Sequence, residues 1–314
     1  MRKLTIASRG SELALWQANH IASLLKARYA DLEVEIKIFK TKGDVILDTP
    51  LAKIGGKGLF VKELEEAILR GEADLAVHSL KDLPTRLPDG LVLGGVTKRA
   101  DRRDCLVSDK YDALKRLPRG AIVGTTSLRR RMQLLAKRGD LNVKSLRGNV
   151  QSRLDKLKSG LFDAIVLAAA GLERLKLTSA VKYVCPFETD VMLPAMAQGV
   201  LGLECADNSQ TLKLIAPLID DRAAIESAIE RDFVDRLQGG CQAPIGVCAE
   251  LLDDGTIRAR GVAGLPNGKD MLNVEVRGDR KNYKTIGGAL ADKLFALGVK
   301  EVLIRAEAMN NDEN

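Results

Sequence analysis

The sequence predicts an α/β protein built as two α/β lobes around a cleft, followed by a small α+β domain. Three observations carry this. Apolar runs of strand length alternate with segments of helical spacing over residues 1–98. The same alternation restarts after the charged joint Lys98–Asp104. The last third then changes character, with a helix, three strand-like runs, a second helix and a closing strand.

In chain order, Leu4–Ser8 reads as a strand. Ser11 is placed to cap a helix whose apolar positions are Ala14, Ala18, Ile21, Ala22 and Leu25. Val34–Phe39 is a second strand, and Phe60, Leu64 and Ile68 mark a helix stopped by Gly71. Leu75–Val77 and Leu91–Val96 complete the first lobe. In the second, Ala121–Gly124 leads into a helix from Ser127, Val143–Leu146 into a helix from Asn149, and Ala164–Ala168 is an apolar strand. Gly199–Cys205 reads as a strand returning to the first lobe. In the last third, Ile225, Ile229, Phe233 and Leu237 line a helix that stops at Gly239-Gly240. Strands are expected at Ile245–Leu252, Ile257–Val262 and Met271–Val276. A helix carrying Ile286, Leu290, Leu294 and Leu297 follows, and then a closing strand at Val302–Ile304. The expected domains are 1–98 with 199–217, 99–198, and 218–314.

The chain has 314 residues, 46% apolar and 29% charged, which is enough to bury a large core. No run of about 18 apolar residues is present, so no membrane span is expected. The start of the chain does not read as a signal peptide, because Arg9 and Glu12 interrupt its short apolar run. The expected compartment is the cytoplasm. The five cysteines are odd in number and widely spaced, against a disulfide framework or a structural zinc site. Two histidines supply little for metal chemistry. The net charge of +7 is concentrated: residues 96–160 hold 18 Lys and Arg against 6 Asp and Glu, and the rest of the chain 31 against 36. Such a patch attracts anions.

Six segments carry candidate chemistry. Leu237-Gln238-Gly239-Gly240-Cys241-Gln242-Ala243-Pro244 ends a helix on two glycines and displays a thiol; the alternative is a loop cysteine without a role. His78-Ser79-Leu80-Lys81-Asp82-Leu83-Pro84-Thr85 follows a buried strand. In an extended loop Lys81 and Asp82 would point to opposite sides, one carboxylate facing a ligand; the alternative is a surface pair in a turn. Gly124-Thr125-Thr126-Ser127-Leu128-Arg129-Arg130-Arg131, Leu146-Arg147-Gly148-Asn149-Val150-Gln151-Ser152-Arg153 and Arg9-Gly10-Ser11 are strand-to-helix junctions bearing arginine. Backbone N–H groups, the helix dipole and guanidinium forks all favour carboxylates there; the alternative is a solvated basic face. Lys53-Ile54-Gly55-Gly56-Lys57-Gly58-Leu59-Phe60 lacks Walker A spacing and reads as a lid or an ordinary loop.

Taken together, these segments resemble the porphobilinogen deaminase (hydroxymethylbilane synthase) family, and the matching stretches span almost the whole chain in order. The resemblance implies two periplasmic-binding-protein-like (type II) lobes and a third domain carrying the cysteine. It implies head-to-tail joining of four porphobilinogen molecules with loss of ammonia, then hydrolytic release of hydroxymethylbilane. The primer would be a dipyrromethane cofactor, thioether-linked to Cys241. Carried over by resemblance, Asp82 stabilises the azafulvenium cation and the pyrrole N–H groups. Arg9, Ser11, Lys81, Thr126, Ser127, Arg129, Arg130, Arg147, Gly148 and Arg153 serve the acetate and propionate groups, with Lys57 a further contact. Ala197 stands where the family commonly has glycine. No metal is implied, and a monomer is expected. A solute-binding protein without catalysis would leave Cys241 unexplained. A nucleic-acid binder is disfavoured, because aromatics are only 4% of the chain and none adjoins an arginine within residues 96–160.

Overall fold

The computed structural model describes residues 2–45, 58, 60–207, 210–238 and 243–312. The chain divides into two compact units, Met1–Ala100 with Gly199–Ala224, and Asp101–Gln198 with Ile225–Asn314.

The first unit holds a five-stranded sheet. Its strands are β1 (Arg2–Ser8), β2 (Leu32–Ile38), β3 (Leu75–Ser79), β4 (Leu91–Val96) and β10 (Leu201–Ala206), in the order β2-β1-β3-β10-β4. β1 runs parallel to β2 and β3, while β10 is antiparallel to both β3 and β4. Successive side chains of a strand point to opposite faces, and the burial follows this. Leu4, Ile6, Leu75 and Val77 pack on Ala18, Ile21 and Leu25 of helix α1 (Glu12–Arg28). Ala7 and Ala76, one residue out of phase, pack on Leu64, Ala67 and Ile68 of α3 (Lys62–Leu69). A short helix α2 (Lys42–Val45) lies between β2 and α3, and α7 (Thr211–Ile215) follows β10.

The second unit repeats this order. β5 (Asp104–Ser108), β6 (Ile122–Gly124), β7 (Asn142–Lys144), β8 (Ala164–Ala168) and β9 (Tyr183–Pro186) are arranged β7-β6-β8-β5-β9. β6 is parallel to β7 and β8, and β5 is antiparallel to β8 and β9. In each sheet one antiparallel strand sits fourth, and in each it is the strand next to a crossing between the units. That is the doubled α/β lobe expected from the sequence. One face packs on α5 (Val150–Lys158) and α6 (Ala169–Arg174), through Leu154, Leu157 and Leu172; the other packs on Leu134 of α4 (Leu128–Lys137).

The remainder of this unit is an antiparallel sheet, β11 (Ile245–Leu251), β12 (Thr256–Ala263) and β13 (Leu272–Asp279), with helices α8 (Asp221–Arg236) and α9 (Tyr283–Ala296). Phe233 is fully buried and sits over Gly261, where a Cβ would come within 2.6 Å of its ring. Three expectations are corrected. Val302–Ile304 is not a strand but part of α10 (Val299–Asp312), because Val302 and Ala306 pack at helical spacing on Leu265 while Ile304 is exposed. Asp104, read as the end of a charged joint, instead opens the fully buried strand β5, and β9 was not anticipated. Both are short, and β5 shows no polar alternation from which a half-buried strand is recognised.

Behind β3, His78 Nε2 lies 2.8 Å from Glu204 Oε2 of β10, and both side chains are buried. Burial, with the Glu204 charge second, raises the pKa of nearby Glu65 on α3 from 4.5 to about 7. A carboxyl whose folded pKa is raised binds its proton more tightly when folded. Stability therefore falls as pH rises between about 4.5 and about 7. Replacing Glu65 by Gln should flatten that fall by on the order of 2 kcal/mol, read from denaturant unfolding at pH 5 and pH 8. An unchanged pH profile in the variant would show that Glu65 is not the group responsible.

Candidate active site

In the first unit the junction after β1 carries Arg9 and Ser11. Ser11 is extended (φ −70°, ψ 146°) and its hydroxyl accepts from Ala14 N at 3.4 Å, which caps α1. The Arg9 guanidinium lies 4.3 Å from the ring centroid of Phe60, a cation–π contact that the sequence did not announce. At the end of β3, Ser79 Oγ accepts from the buried Gln17 Nε2 at 2.7 Å. Lys81 and Asp82 then fall in a single 3-10 turn, Leu80–Asp82, not in the extended loop expected. Successive residues in such a turn diverge by a third of a circle, not a half. Leu80 and Leu83 are completely buried on either side, and Leu80 N donates to Val200 O at 3.0 Å. These two leucines pin the turn so that Lys81 is half-buried and Asp82 exposed.

In the second unit two strand-end loops are stapled together. Thr126 Oγ1 donates to Leu146 O at 2.6 Å, accepts from Leu146 N at 3.1 Å and lies 3.3 Å from Ser145 Oγ. Ser127 caps α4, its hydroxyl accepting from Arg130 N at 3.4 Å. Asn149 caps α5 by accepting from Ser152 N at 2.8 Å. Gly148 has φ 114°, and a Cβ there would collide with the Ser152 side chain. Arg153 Nε donates to Gly148 O at 2.7 Å, and Lys156 Nζ to Arg147 O at 3.0 Å. Arg147, Gly148 and Arg153 are thus brought together at one helix start, where free N–H groups and the dipole favour an anion.

Arg129 and Arg130 stand apart from the half-buried Arg9, Arg147 and Arg153, since both are buried. Arg129 Nη1 donates to Asp104 Oδ2 at 2.6 Å and to Leu193 O at 2.8 Å. Arg130 donates to Asp104 Oδ1 from Nε at 3.0 Å and Nη2 at 2.7 Å, and from Nη1 to Val166 O at 2.8 Å. Gln198 Nε2 adds a third donor to Asp104 Oδ1 at 2.9 Å. Burial alone would raise the Asp104 pKa, but the two arginines hold it well below the usual carboxylate range. Asp104 and Gln198 were not singled out from the sequence; the only signal was an acid placed directly after Arg102-Arg103.

Cys241 and Lys57 lie outside the described residues. α8 ends at Arg236 before Cys241, and β11 begins at Ile245 after it. The other four cysteines are free thiols. Burial pushes Cys105 up to about 12 and Cys248 up to about 11, so neither supplies thiolate at neutral pH. No group of three His, Cys, Asp or Glu among the described residues could hold a metal, and no described helix is long and apolar enough to cross a membrane. A pocket of about 480 Å³ in the second unit, lined by Gln133, Lys137, Asp190, Arg260, Asn273 and Glu275 among others, contains none of the expected site residues.

Residues 4–214 match the family model described as porphobilinogen deaminase, dipyromethane cofactor binding domain, and residues 224–296 match the porphobilinogen deaminase C-terminal domain. The chain belongs to the porphobilinogen deaminase family. A porphobilinogen deaminase of a Nitratiruptor species is 58% identical over 307 residues, covering 98% of each chain. One from Sulfurimonas denitrificans is 55% identical over 309 residues, covering 98% of this chain and 99% of its own. Among solved structures, the methionine-binding protein MetQ aligns with a TM-score of 0.44 at 17% identity, over 71% of this chain and 92% of its own. The Escherichia coli periplasmic aliphatic sulphonate binding protein SsuA aligns at 0.39 and 16%, over 76% and 71%. As a member of the porphobilinogen deaminase family, the chain is a transferase of tetrapyrrole synthesis that acts on porphobilinogen, yields hydroxymethylbilane and carries a dipyrromethane cofactor.

The donors fit that cofactor's acidic side chains: three capped helix starts bear basic or hydroxyl groups, and no acidic residue lies in the first turn of α4 or α5, while α1 carries Glu12 there. Replacing Gly148 by Ala should destabilise the fold by roughly 1–3 kcal/mol, through positive φ and the clash with Ser152. Thermal unfolding checks this, and an unchanged Tm would mean that the loop relaxes freely.

Proposed function

We propose that this chain carries out stepwise condensation of four porphobilinogen molecules with Asp82 as its catalytic carboxylate and Cys241 as the cofactor's thioether anchor. The observation that carries the reading is the display of Asp82: an exposed carboxylate at the carboxyl end of β3, on a turn pinned by two completely buried leucines. Such a group is preorganised to meet developing positive charge. When bound, the dipyrromethane supplies the nucleophilic pyrrole carbon from which the chain grows.

The protein's own residues then have distinct tasks. Departure of ammonia leaves a methylene cation conjugated with the pyrrole, and the ionised Asp82 stabilises it and accepts from the pyrrole N–H. Lys81, one residue away and half-buried, offers an ammonium to the substrate acetate or propionate. Arg9 and Ser11 at the start of α1, Ser127 at the start of α4, and Arg147, Gly148 and Arg153 at the start of α5 take further carboxylates by charge and by backbone N–H groups. Arg129 presents its second terminal nitrogen, because only Nη1 is engaged among the described residues. Thr126 acts by holding the two loops in register. Lys57 adds a further cation to this set. We place the enzyme in the cytoplasm as a monomer with no nucleic-acid partner; the concentrated positive charge of residues 96–160 answers to a polycarboxylate product.

Asp82→Ala is expected to stay folded and lose at least about 100-fold in turnover, with ammonia release as the readout; near-normal turnover would remove the proposed role. Intact mass of the purified protein should exceed the sequence mass by one dipyrromethane, and Cys241→Ser should show no excess. Active, folded protein of unmodified mass would refute the anchor. Arg147→Ala should raise the KM for porphobilinogen roughly tenfold, and a variant with full cofactor and unchanged kinetics would take Arg147 off the carboxylate set.

A further inference from the structure

Two buried arginines share one buried acid in the second unit. Arg129 and Arg130 are 5% and 6% exposed, Asp104 is 0% exposed, and no other carboxylate bonds to either guanidinium among the described residues. One positive charge is therefore left over in a desolvated place, an arrangement that is costly unless an anion from outside meets it. The donors are divided unequally. Arg130 spends Nε, Nη1 and Nη2 on Asp104 and Val166 O, whereas Arg129 spends Nη1 alone. Asp104 itself is held from several sides: by both arginines, by Gln198 Nε2, and by a backbone whose carbonyl accepts from Phe187 N at 2.8 Å.

We propose that Asp104 is a positioning residue of the porphobilinogen reaction, which never touches substrate but holds Arg129 so that its remaining donors, and the unbalanced charge, face a pyrrole carboxylate. Arg130 is the inner member of the pair, fixing Asp104 from the far side, and Arg129 is the member that meets the ligand. This rests on the carboxylate-binding reading given above for the arginine-bearing junctions. An ordinary buried ion pair would be matched one to one; the surplus arginine and its unspent nitrogen are what mark this cluster as half of a binding site.

The test is Asp104→Asn, which keeps size and one acceptor oxygen but removes the charge. The variant should fold, take up dipyrromethane more slowly by intact mass, and show a KM for porphobilinogen raised roughly tenfold with kcat changed far less. A purely structural ion pair would lower Tm and leave KM alone, so normal loading and normal KM overturn the proposal. Arg129→Gln is measured beside it. If Arg129→Gln loads cofactor and binds porphobilinogen normally, the carboxylate-binding reading itself fails at this position. If it is impaired while Asp104→Asn is normal, only the positioning role fails. Should Asp104→Asn not fold, Asp104→Glu, which keeps the charge but carries it one methylene further out, takes its place. It should raise the KM for porphobilinogen with kcat changed far less, and an unchanged KM would overturn the proposal.

Discussion

Placing two consecutive arginines inside a folded lobe is far too costly in desolvation unless a fixed anion lies between them, and the fully buried Asp104 is that anion. Much else in the second unit is arranged around this carboxylate. Because Asp104 opens β5, its position follows from the ladder that pairs it with Ala168 of β8. Because Arg129 and Arg130 lie in the first turn of α4, the Ser127 cap and the Thr126 staple also orient them. Gln198, which donates both to Asp104 and to Arg102 O, ties the end of the segment Asp101–Gln198 to its start.

A second layer of buried charge lies next to the first. Arg102 donates to Glu226 at 2.6 Å and to Ala249 O at 2.6 Å, which links the residue beside β5 to α8 and β11. Glu230, completely buried, accepts from Ala197 N at 2.6 Å and from Ala249 N at 3.0 Å. Ala197 has φ 53°, a left-handed conformation in which glycine carries no steric penalty. Alanine is held in it by the charge-assisted hydrogen bond that its own N–H donates to Glu230. The same α8 runs on toward the segment holding Cys241, so the helix bracing the lobe also leads to the proposed cofactor anchor.

The two lobes solve one problem in the same way. Each buries alternate strand residues against helices on both faces and frees the strand ends for short loops that start capped helices. Helix starts present N–H groups without partners, which is why basic and hydroxyl side chains there suit a substrate that gains carboxylates with every addition. The turn bearing Asp82 differs in kind: it has no α-helix start behind it and depends on Leu80 and Leu83 for its placement.

Periodicity and punctuation in the chain were enough to determine the lobes, the cap at Ser11, the helix starts near Ser127 and Asn149, and the arginine-bearing junctions, because each depends on neighbours a few residues away. The motif stretches were likewise enough for the family. Only the tertiary structure decided that Asp104 is a buried strand residue and not a surface joint, that Val302 belongs to a helix, and that Lys81 and Asp82 sit on a 3-10 turn. It also separated Arg129 and Arg130 from Arg147 and Arg153, residues of one chemical type in similar local sequence. The reason is one of range: an arginine's neighbours along the chain do not reveal whether a carboxylate 25 residues away will reach it, and that meeting is settled by how the strands pair.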